Sequence, residues 1–206
     1  SSTSEVRQHL SLLFASICSL TDCCECSAGI YMPETFKRES KYGLTCLTTT
    51  DEGLLKYLSK VSNQVKEWLE IGNIQRLVLI VNGVDTMQTL ERWQFNVSVD
   101  APSTTTENVA PNVTSKSTTT RSTQKSVKEV HNEIQAIIRQ ITASVTFLPL
   151  LQEPCTFDLL VYTDKDVIVP TKWADSDPCY VLNSAEVKLR SFTTTVHKID
   201  SMVAYK

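Results

Sequence analysis

The feature that most constrains the fold is an amphipathic helical pattern that begins at Thr49 and ends near Asn73. Its apolar residues recur at helical spacing and so share one face, namely Leu54, Leu55, Leu58, Val61, Val65, Trp68 and Leu69. Thr49 and Glu52 have capping-box spacing, and Gly72 suits the left-handed residue that ends a helix. We therefore predict one long helix with a single buried face.

Stretches rich in β-branched and aromatic residues predict a sheet. Residues 76–100 contain two such runs around Asn82 and Gly83, a pair that tolerates positive φ and predicts a tight hairpin turn. A further strand is predicted from Thr156 to Thr163, and its run FDLLVY is apolar on both faces apart from Asp158. Because such strands are typically covered on both faces, we expect this one to be internal to the sheet.

A change in composition separates these strands. Residues 101–123 are rich in Ser and Thr and have almost no large apolar side chain, so they predict a flexible loop. A second helix is predicted from Thr123 to Ser144, with Arg139 and Gln140 outside its apolar stripe. From Asp164 onward, prolines divide the chain into pieces that predict short strands beyond the main core.

Composition and charge exclude several classes of function. A chain of 206 residues with 41% hydrophobic and 21% charged residues is typical of one globular domain. The net charge is -3 and basic residues form no long run, so direct binding to nucleic acid is not expected. No apolar run reaches the roughly 20 residues that a membrane span requires. The seven cysteines are an odd number and indicate a reducing compartment.

The cysteines suggest two kinds of chemistry, neither of which we favour. Cys18, Cys23, Cys24 and Cys26 are close in sequence but do not form the paired motifs of a zinc site, so no metal or cofactor is expected. A thiol-dependent enzyme that uses Cys155 with His197 and Asp158 remains a remote alternative, because no nucleophile signature surrounds Cys155. We predict that the protein is not an enzyme.

Long segments of the chain resemble the mitotic-arrest-deficient-two branch of the HORMA family. They are GIYMPETF, KYGLTCLTTTDEGLLKYL, ERWQFNV, IIRQITASVTFLPLL, FDLLVYTDKDVIVPTKW and VKLRSFTTTVHKIDSMVAYK. Together they extend from Gly29 to Lys206, apart from the Ser/Thr-rich loop. Segments of this length are far more specific than a short motif.

The resemblance implies a single α+β HORMA domain over residues 1–206, with a central antiparallel sheet and long helices packed on one side. It also implies that residues 164–206 form a mobile C-terminal safety belt. In the family, this belt leaves the edge of the FDLLVY-type strand and moves to the hairpin side, and a partner's extended peptide takes the vacated edge. The physical basis is strand addition, in which main-chain hydrogen bonds provide affinity and side-chain pockets provide sequence preference.

The resemblance also implies roles for individual residues. The strand that pairs with the peptide is expected to contain Phe157, Leu159 and Val161. The safety belt is expected to contain Trp173, Val203 and Tyr205. The surface that pairs an open copy with a closed copy is expected to contain Arg139, Gln140 and Phe147.

The resemblance implies a spindle assembly checkpoint adaptor that delays anaphase. The implied partners are a scaffold of the mitotic-arrest-deficient-one type, the mitotic activator of the anaphase-promoting complex, and a second copy of the chain. The implied location is the nucleus and cytoplasm, and the kinetochore during mitosis. The alternatives within the family are a HORMA subunit of a translesion polymerase and a meiotic axis protein.

Both ends of the chain depart from the family pattern. Residues 1–28 end in SICSLTDCCECSA, so we expect a divergent N-terminal helix, and Met32 stands where the family has proline. The chain ends at Lys206, a few residues before the expected family end. Because the extreme C-terminus helps to hold the closed form in this family, such an end is expected to favour the open form.

Overall fold

A computed structural model describes residues 35–41, 43–99, 127–144, 147–164, 167, 169–171, 173–193 and 197–206. The predicted N-terminal helix over residues 1–28 and the predicted loop over residues 101–123 lie outside these ranges. The described elements are, in chain order, β1 (Phe36–Lys41), β2 (Leu44–Thr49), α1 (Glu52–Ile71), β3 (Ile74–Gly83), β4 (Thr89–Val99), α2 (Val127–Ser144), β5 (Cys155–Thr163), β6 (Ala185–Lys188), β7 (Phe192–Thr193) and β8 (His197–Tyr205).

Two antiparallel sheets organise these elements. β1 and β2 form a two-stranded hairpin, whereas the main sheet has the order β5-β3-β4-β8-β6, with β7 also paired to β8. Leu77, Leu79, Trp93, Phe95 and Val203 point to one face of the main sheet. On that face they pack with the apolar stripes of α1 and α2. The predicted α+β architecture with helices on one side is therefore confirmed.

The expected internal position of the FDLLVY strand is wrong. Within the described ranges, β5 pairs only with β3, and β3 is the strand enclosed by two neighbours. The side chains of Val78 and Val81 in β3 have no exposed surface, whereas Leu159, Leu160 and Val161 in β5 are only half-buried. An apolar pattern on both faces reports that both faces are covered, but it carries no information about neighbours in the plane of the sheet.

Helix α1 begins two residues later than the capping-box pattern implies. The N-cap residue is Asp51, whose carboxylate accepts a hydrogen bond of 2.6 Å from the backbone N–H of Leu54. Thr49 instead accepts a hydrogen bond of 3.1 Å from the backbone N–H of Asp51. Gly72 ends the helix with φ of 79° and donates its backbone N–H to Leu69, as predicted.

The turn between β3 and β4 lies beyond the predicted Asn-Gly pair. Asn82 and Gly83 belong to β3, and the connection runs through residues 84–88, with Met87 at φ of 55°. The Glu153 carboxylate holds this connection by accepting hydrogen bonds from the backbone N–H groups of Asp85 and Thr86, each at 2.9 Å. A Cβ at Gly83 would lie 2.3 Å from the Glu153 carboxyl carbon, so this glycine makes room for that side chain rather than for a turn.

The C-terminal tail contains short strands and one long strand. β6 has four residues and β7 has two, in line with the predicted short pieces, but β8 has nine. β8 pairs with β4 along its whole length, from His197 opposite Val99 to Tyr205 opposite Glu91. The sequence pattern concealed β8 because Ser201, a polar residue, occupies a position on the helix-facing side that is 4% exposed.

Glu91 is a buried carboxylate in β4, on the side of the sheet that carries the helices. It is 5% exposed and accepts a hydrogen bond of 2.9 Å from the indole N–H of Trp93. Burial raises the pKa of Glu91 above its ordinary value, and the hydrogen bond from Trp93 opposes this shift without cancelling it. Ionised Glu91 therefore lowers stability at neutral pH.

Replacement of Asp51 by Ala is expected to lower the free energy of unfolding by about 1 kcal/mol, because the Leu54 N–H loses its capping acceptor. Chemical denaturation would measure this change. The matched control is Asp175→Ala, which removes an exposed carboxylate outside the helices. Equal stabilities of the two variants would contradict the assignment of the cap to Asp51.

Replacement of Glu91 by Gln keeps an oxygen that can accept the Trp93 N–H and removes the buried charge. We expect the melting temperature at pH 7 to rise by roughly 2–4 °C. Because the folded pKa is raised, the wild-type protein regains stability as the pH falls through that pKa, so the difference should vanish below the ordinary carboxyl pKa. A similar rise in exposed Glu186→Gln, or a lower melting temperature in Glu91→Gln, would refute this interpretation.

Candidate functional site

The outer edge of β5 is the first part of the candidate site. Phe157, Leu159 and Val161 lie opposite Val81, Leu79 and Leu77 of β3, so all three point toward the side of the sheet that carries the helices. They are half-buried and pack against the core.

An aromatic contact ties β5 to α1. The Phe157 ring lies 5.8 Å from the Tyr57 ring in an edge-to-face arrangement. β5 is nine residues long, and no strand pairs with its side away from β3 in the part of the chain that the structure describes. The site thus presents a long, apolar strand whose backbone is open to pairing on one side.

Residues 164–206, which we call the belt, begin beside this edge. Asp164 follows β5 directly and donates its backbone N–H to the Asn73 carbonyl at 3.1 Å. Its carboxylate accepts a hydrogen bond of 2.5 Å from the side-chain amide of Gln75. These two contacts attach the start of the belt to the connection between α1 and β3 and to the first residues of β3.

The belt then contacts both sides of the main sheet. The Trp173 ring packs edge-to-face on the Trp68 ring of α1, with 5.1 Å between centroids, and is half-buried against the helix-side core. Five residues later, the Pro178 carbonyl accepts a hydrogen bond of 3.2 Å from Arg92. Arg92 points to the face opposite the helices, because its neighbour Trp93 points into the helix-side core. The belt therefore passes from one side of the sheet to the other between residues 173 and 178.

The end of the belt lies on the far side of the sheet from β5. β8 occupies the position next to β4, three strand spacings or about 14 Å from β5. Val203 in β8 has no exposed surface, and the Tyr205 ring lies 6.3 Å from the Phe147 ring. This is the hairpin side, to which the resemblance assigns the belt after it has left the FDLLVY strand.

The residues predicted to pair two copies lie at or near α2. Arg139 is exposed. The side-chain carbonyl of Gln140 accepts a hydrogen bond of 2.7 Å from the backbone N–H of Arg190, and Phe147 contacts Tyr205. Two of the three residues therefore contact the belt of their own chain, a feature that sequence reasoning missed.

Sequence reasoning also missed Arg92 and Tyr180. Strand alternation places Arg92 and Gln94 opposite Trp93 and Phe95, which predicts a solvated polar face. Arg92 is instead 4% exposed and its guanidinium lies 5.0 Å from the centre of the Tyr180 ring. Because Tyr180 is 88 residues from Arg92 in sequence, no local pattern could have predicted this contact.

The proposed thiol nucleophile is poorly suited to catalysis. Burial raises the pKa of Cys155 to about 11, with smaller contributions from the charges of Glu153 and Glu91, so the thiol stays protonated at neutral pH. Cys155 pairs with Gly83 at one end of the sheet, whereas His197 pairs with Val99 at the other end, roughly 30 Å away. The three residues of the alternative enzyme are therefore not brought together.

The described residues contain neither a metal-binding cluster nor a helix that could span a membrane. Among the described residues, no group of three or more His, Cys, Asp or Glu side chains is arranged to hold a metal ion. Cys18, Cys23, Cys24 and Cys26 lie outside the described ranges. In those same ranges, none of the helices is both long and apolar enough to cross a membrane.

The chain as a whole is similar to a known family of proteins. The HORMA domain family profile matches residues 2–197. The chain is 56% identical to the mitotic spindle assembly checkpoint protein MAD2A of Dictyostelium discoideum, over 86% of this chain and 81% of that protein. It is 51% identical to human MAD2A, over 86% of this chain and 80% of the human protein. The yeast checkpoint component MAD2 of Saccharomyces cerevisiae is 38% identical, over 86% of this chain and 85% of its own length.

Solved structures agree with this assignment. A chain in the crystal structure of the mitotic checkpoint complex superposes with a TM-score of 0.80 at 39% identity, covering 100% of this chain and 99% of that chain. HTP-2 of C. elegans bound to the HIM-3 closure motif has a TM-score of 0.69 at 14% identity, covering 100% of this chain and 90% of that chain, and shows the shared fold alone. The chain therefore belongs to the HORMA domain family, as a homologue of the MAD2 spindle assembly checkpoint proteins.

Proposed function

We propose that this checkpoint protein traps an extended peptide of a partner by pairing it with β5 and closing the belt over it. The observation that carries this proposal is the strand order of the main sheet. β8 lies beside β4, on the far side from β5, while the described part of the chain supplies no strand for the outer edge of β5. This is the arrangement that a HORMA belt adopts after it has vacated the peptide-binding edge.

The edge of β5 has the properties that strand addition requires. In the described part of the chain no strand pairs with the side of β5 away from β3, so an extended segment can add there as a further strand. Leu159 and Val161 are half-buried, so a paired peptide can cover the apolar surface that remains exposed. Long apolar edge strands are a liability in folded proteins unless something pairs with them. A partner's peptide that pairs with β5 would cover this edge.

The belt supports slow release of such a peptide. Reversal of closure requires β8 to detach from β4 along all nine residues and Val203 to leave the core. It also requires the ring contact between Trp173 and Trp68 to break. Because these interactions are backbone hydrogen bonds and apolar contacts, we expect binding to be slow and insensitive to salt.

The proposed partners follow from the family. They are a checkpoint scaffold of the mitotic-arrest-deficient-one type, the mitotic activator of the anaphase-promoting complex, and a second copy of this chain in the open form. The crystal structure of the mitotic checkpoint complex, which contains a similar chain, supports assembly with checkpoint proteins. Capture of the activator would delay anaphase. We place the protein in the nucleus and cytoplasm, and at kinetochores during mitosis.

The alternatives within the family have weaker support. The relatives at 38–56% identity are mitotic checkpoint proteins, whereas the likeness to HTP-2 is at 14% identity. Affinity purification of the tagged full chain from mitotic cells distinguishes these functions. Recovery of checkpoint components supports the proposal, and recovery of polymerase or meiotic axis proteins in their place would overturn it.

Replacement of Trp173 by Ala is expected to speed release of a bound peptide by about tenfold, because the contact with Trp68 and the burial of the indole are lost. The probe is a fluorescent synthetic peptide that carries the scaffold's binding segment. Its dissociation is followed after addition of excess unlabelled peptide.

The matched control is Leu182→Ala, which removes a belt side chain that is 70% exposed. This variant should release the peptide at the wild-type rate. Rapid exchange of the peptide from the wild-type protein would contradict the trapping mechanism itself.

Replacement of Arg139 by Glu is expected to abolish self-association, because an exposed cation on α2 becomes an anion at the proposed pairing surface. Sedimentation velocity of the full chain measures the dimer fraction. Lys128→Glu reverses an exposed charge near the other end of the same helix and serves as the control. Unchanged self-association of the Arg139 variant would remove this residue from the interface.

A further inference from the structure

Arg92 is a buried cation on the face of the main sheet opposite the helices. It lies in β4 between Ile80 of β3 and Ala204 of β8. Only 4% of the side chain is exposed, although it carries a positive charge. A buried arginine normally has a carboxylate partner. In the described part of the chain, no carboxylate forms an ion pair with Arg92.

Its contacts lead instead to the belt. The Nε–H of Arg92 donates to the Pro178 carbonyl at 3.2 Å, and the guanidinium lies 5.0 Å from the centre of the Tyr180 ring. Nη1 donates to the Gln94 side-chain carbonyl at 2.5 Å. Nη2 is buried and has no hydrogen-bond partner among the described residues. Two of the three guanidinium nitrogens therefore donate hydrogen bonds, and one of these bonds is to the belt.

The belt has few other attachments where it crosses this face. Among the described residues, the Arg92 contact is the only hydrogen bond between residues 174–184 and the main sheet. Val181 is buried, but it is flanked by Cys179 at φ of 49° and Asn183 at φ of 56°. Left-handed backbone costs free energy at Cys179 and less at Asn183, because asparagine adopts it more readily. A local attachment would offset this cost.

We propose that Arg92 is a clasp that retains the crossing segment of the belt, residues 174–184, on the sheet. It acts by donating to the Pro178 carbonyl and stacking on Tyr180. Arg92 is a positioning residue: it makes no contact with the β5 edge and controls how readily the belt lifts away. Its effect on peptide retention rests on the proposed function, whereas the clasp itself does not.

The clasp suits a belt segment that must stay on the sheet in one state and lift away from it in another. A guanidinium can donate from Nε and stack on a ring at the same time because its donors lie in a rigid plane. Water can reach Arg92 when the segment lifts, and the unmatched Nη2 then gains hydration. The cost of burying Nη2 therefore limits how tightly the segment is held. A lysine at this position would retain the charge and lose the planar geometry.

The first test is native-state proteolysis of the full chain with chymotrypsin, which cuts after Tyr180 and Leu182 once the segment lifts. Arg92→Lys is expected to raise the cleavage rate at these bonds by about tenfold. The matched control is Arg76→Lys. Arg76 also donates from Nε, to Asn96 at 2.9 Å, and lies 5.3 Å from the Tyr162 ring, but these contacts are within the sheet. Equal cleavage rates in the two variants would overturn the clasp.

The second test leaves the buried arginine in place. Nuclear magnetic resonance of the full chain measures hydrogen exchange at the Arg92 Nε–H, which the Pro178 carbonyl and Tyr180 ring protect. Tyr180→Ala should speed this exchange by at least about fivefold, because the ring no longer covers the guanidinium. Leu182→Ala, which removes a neighbouring side chain of similar exposure, should have no effect. Unchanged exchange in Tyr180→Ala would refute the stacking contact.

Peptide release connects the clasp to the proposed function. With the fluorescent scaffold peptide as the probe, Arg92→Lys should release peptide faster than Arg76→Lys. If the wild-type protein captures no peptide, the proposed function fails while proteolysis and hydrogen exchange still decide the clasp. If peptide is captured and both variants release it at the wild-type rate, the effect of the clasp on peptide retention is refuted and the proposed function stands.

Discussion

The pairing of β8 with β4 is the interaction on which the rest of this structure depends. Nine residues of β8 form a ladder along β4, and Val203 completes the helix-side core between the two strands. Because this ladder occupies the hairpin side, β6 and β7 are added beyond it and the belt must cross the sheet to reach them. The same ladder removes the C-terminal strand from the neighbourhood of β5. One set of backbone hydrogen bonds thus extends the sheet on the side of β4, while no strand in the described part of the chain pairs with the outer side of β5.

Before β8, the belt is attached to the rest of the domain at several separate points. Asp164 attaches its start, Trp173 packs on α1, Arg92 meets the crossing segment, and Gln140 accepts from the backbone of Arg190. The open-to-closed switch proposed above requires each of these attachments to break and re-form, which suits an element with two packings that differ by only a few kcal/mol.

Local sequence rules succeeded where the deciding contacts are local. The stripe from Leu54 to Leu69 predicted α1, and Gly72 ended it in the left-handed conformation. The same rules failed where a distant side chain intervened. Glu153, about 70 residues from the β3–β4 connection, replaces the expected tight turn at Asn82 and Gly83 with a longer one. Ser201 obscured the alternation of β8, because a buried polar residue breaks the pattern by which a strand is recognised.

By itself, the sequence determined the two long helices and their buried faces, the strands β3, β4 and β5, and the family, because these depend on local periodicity and on long characteristic segments. The roles predicted for Phe157, Leu159, Val161, Trp173, Val203 and Tyr205 remain predictions, although their positions agree with an edge strand and a belt. Only the tertiary structure decided which edge of the sheet β8 occupies. It alone showed that Gln140 contacts the belt and that Arg92 is buried beneath it. The physical reason is that strand order and cross-sheet contacts join residues far apart in sequence. The periodicity of a sequence shows which face of a helix or strand is buried, but not which neighbouring element buries it.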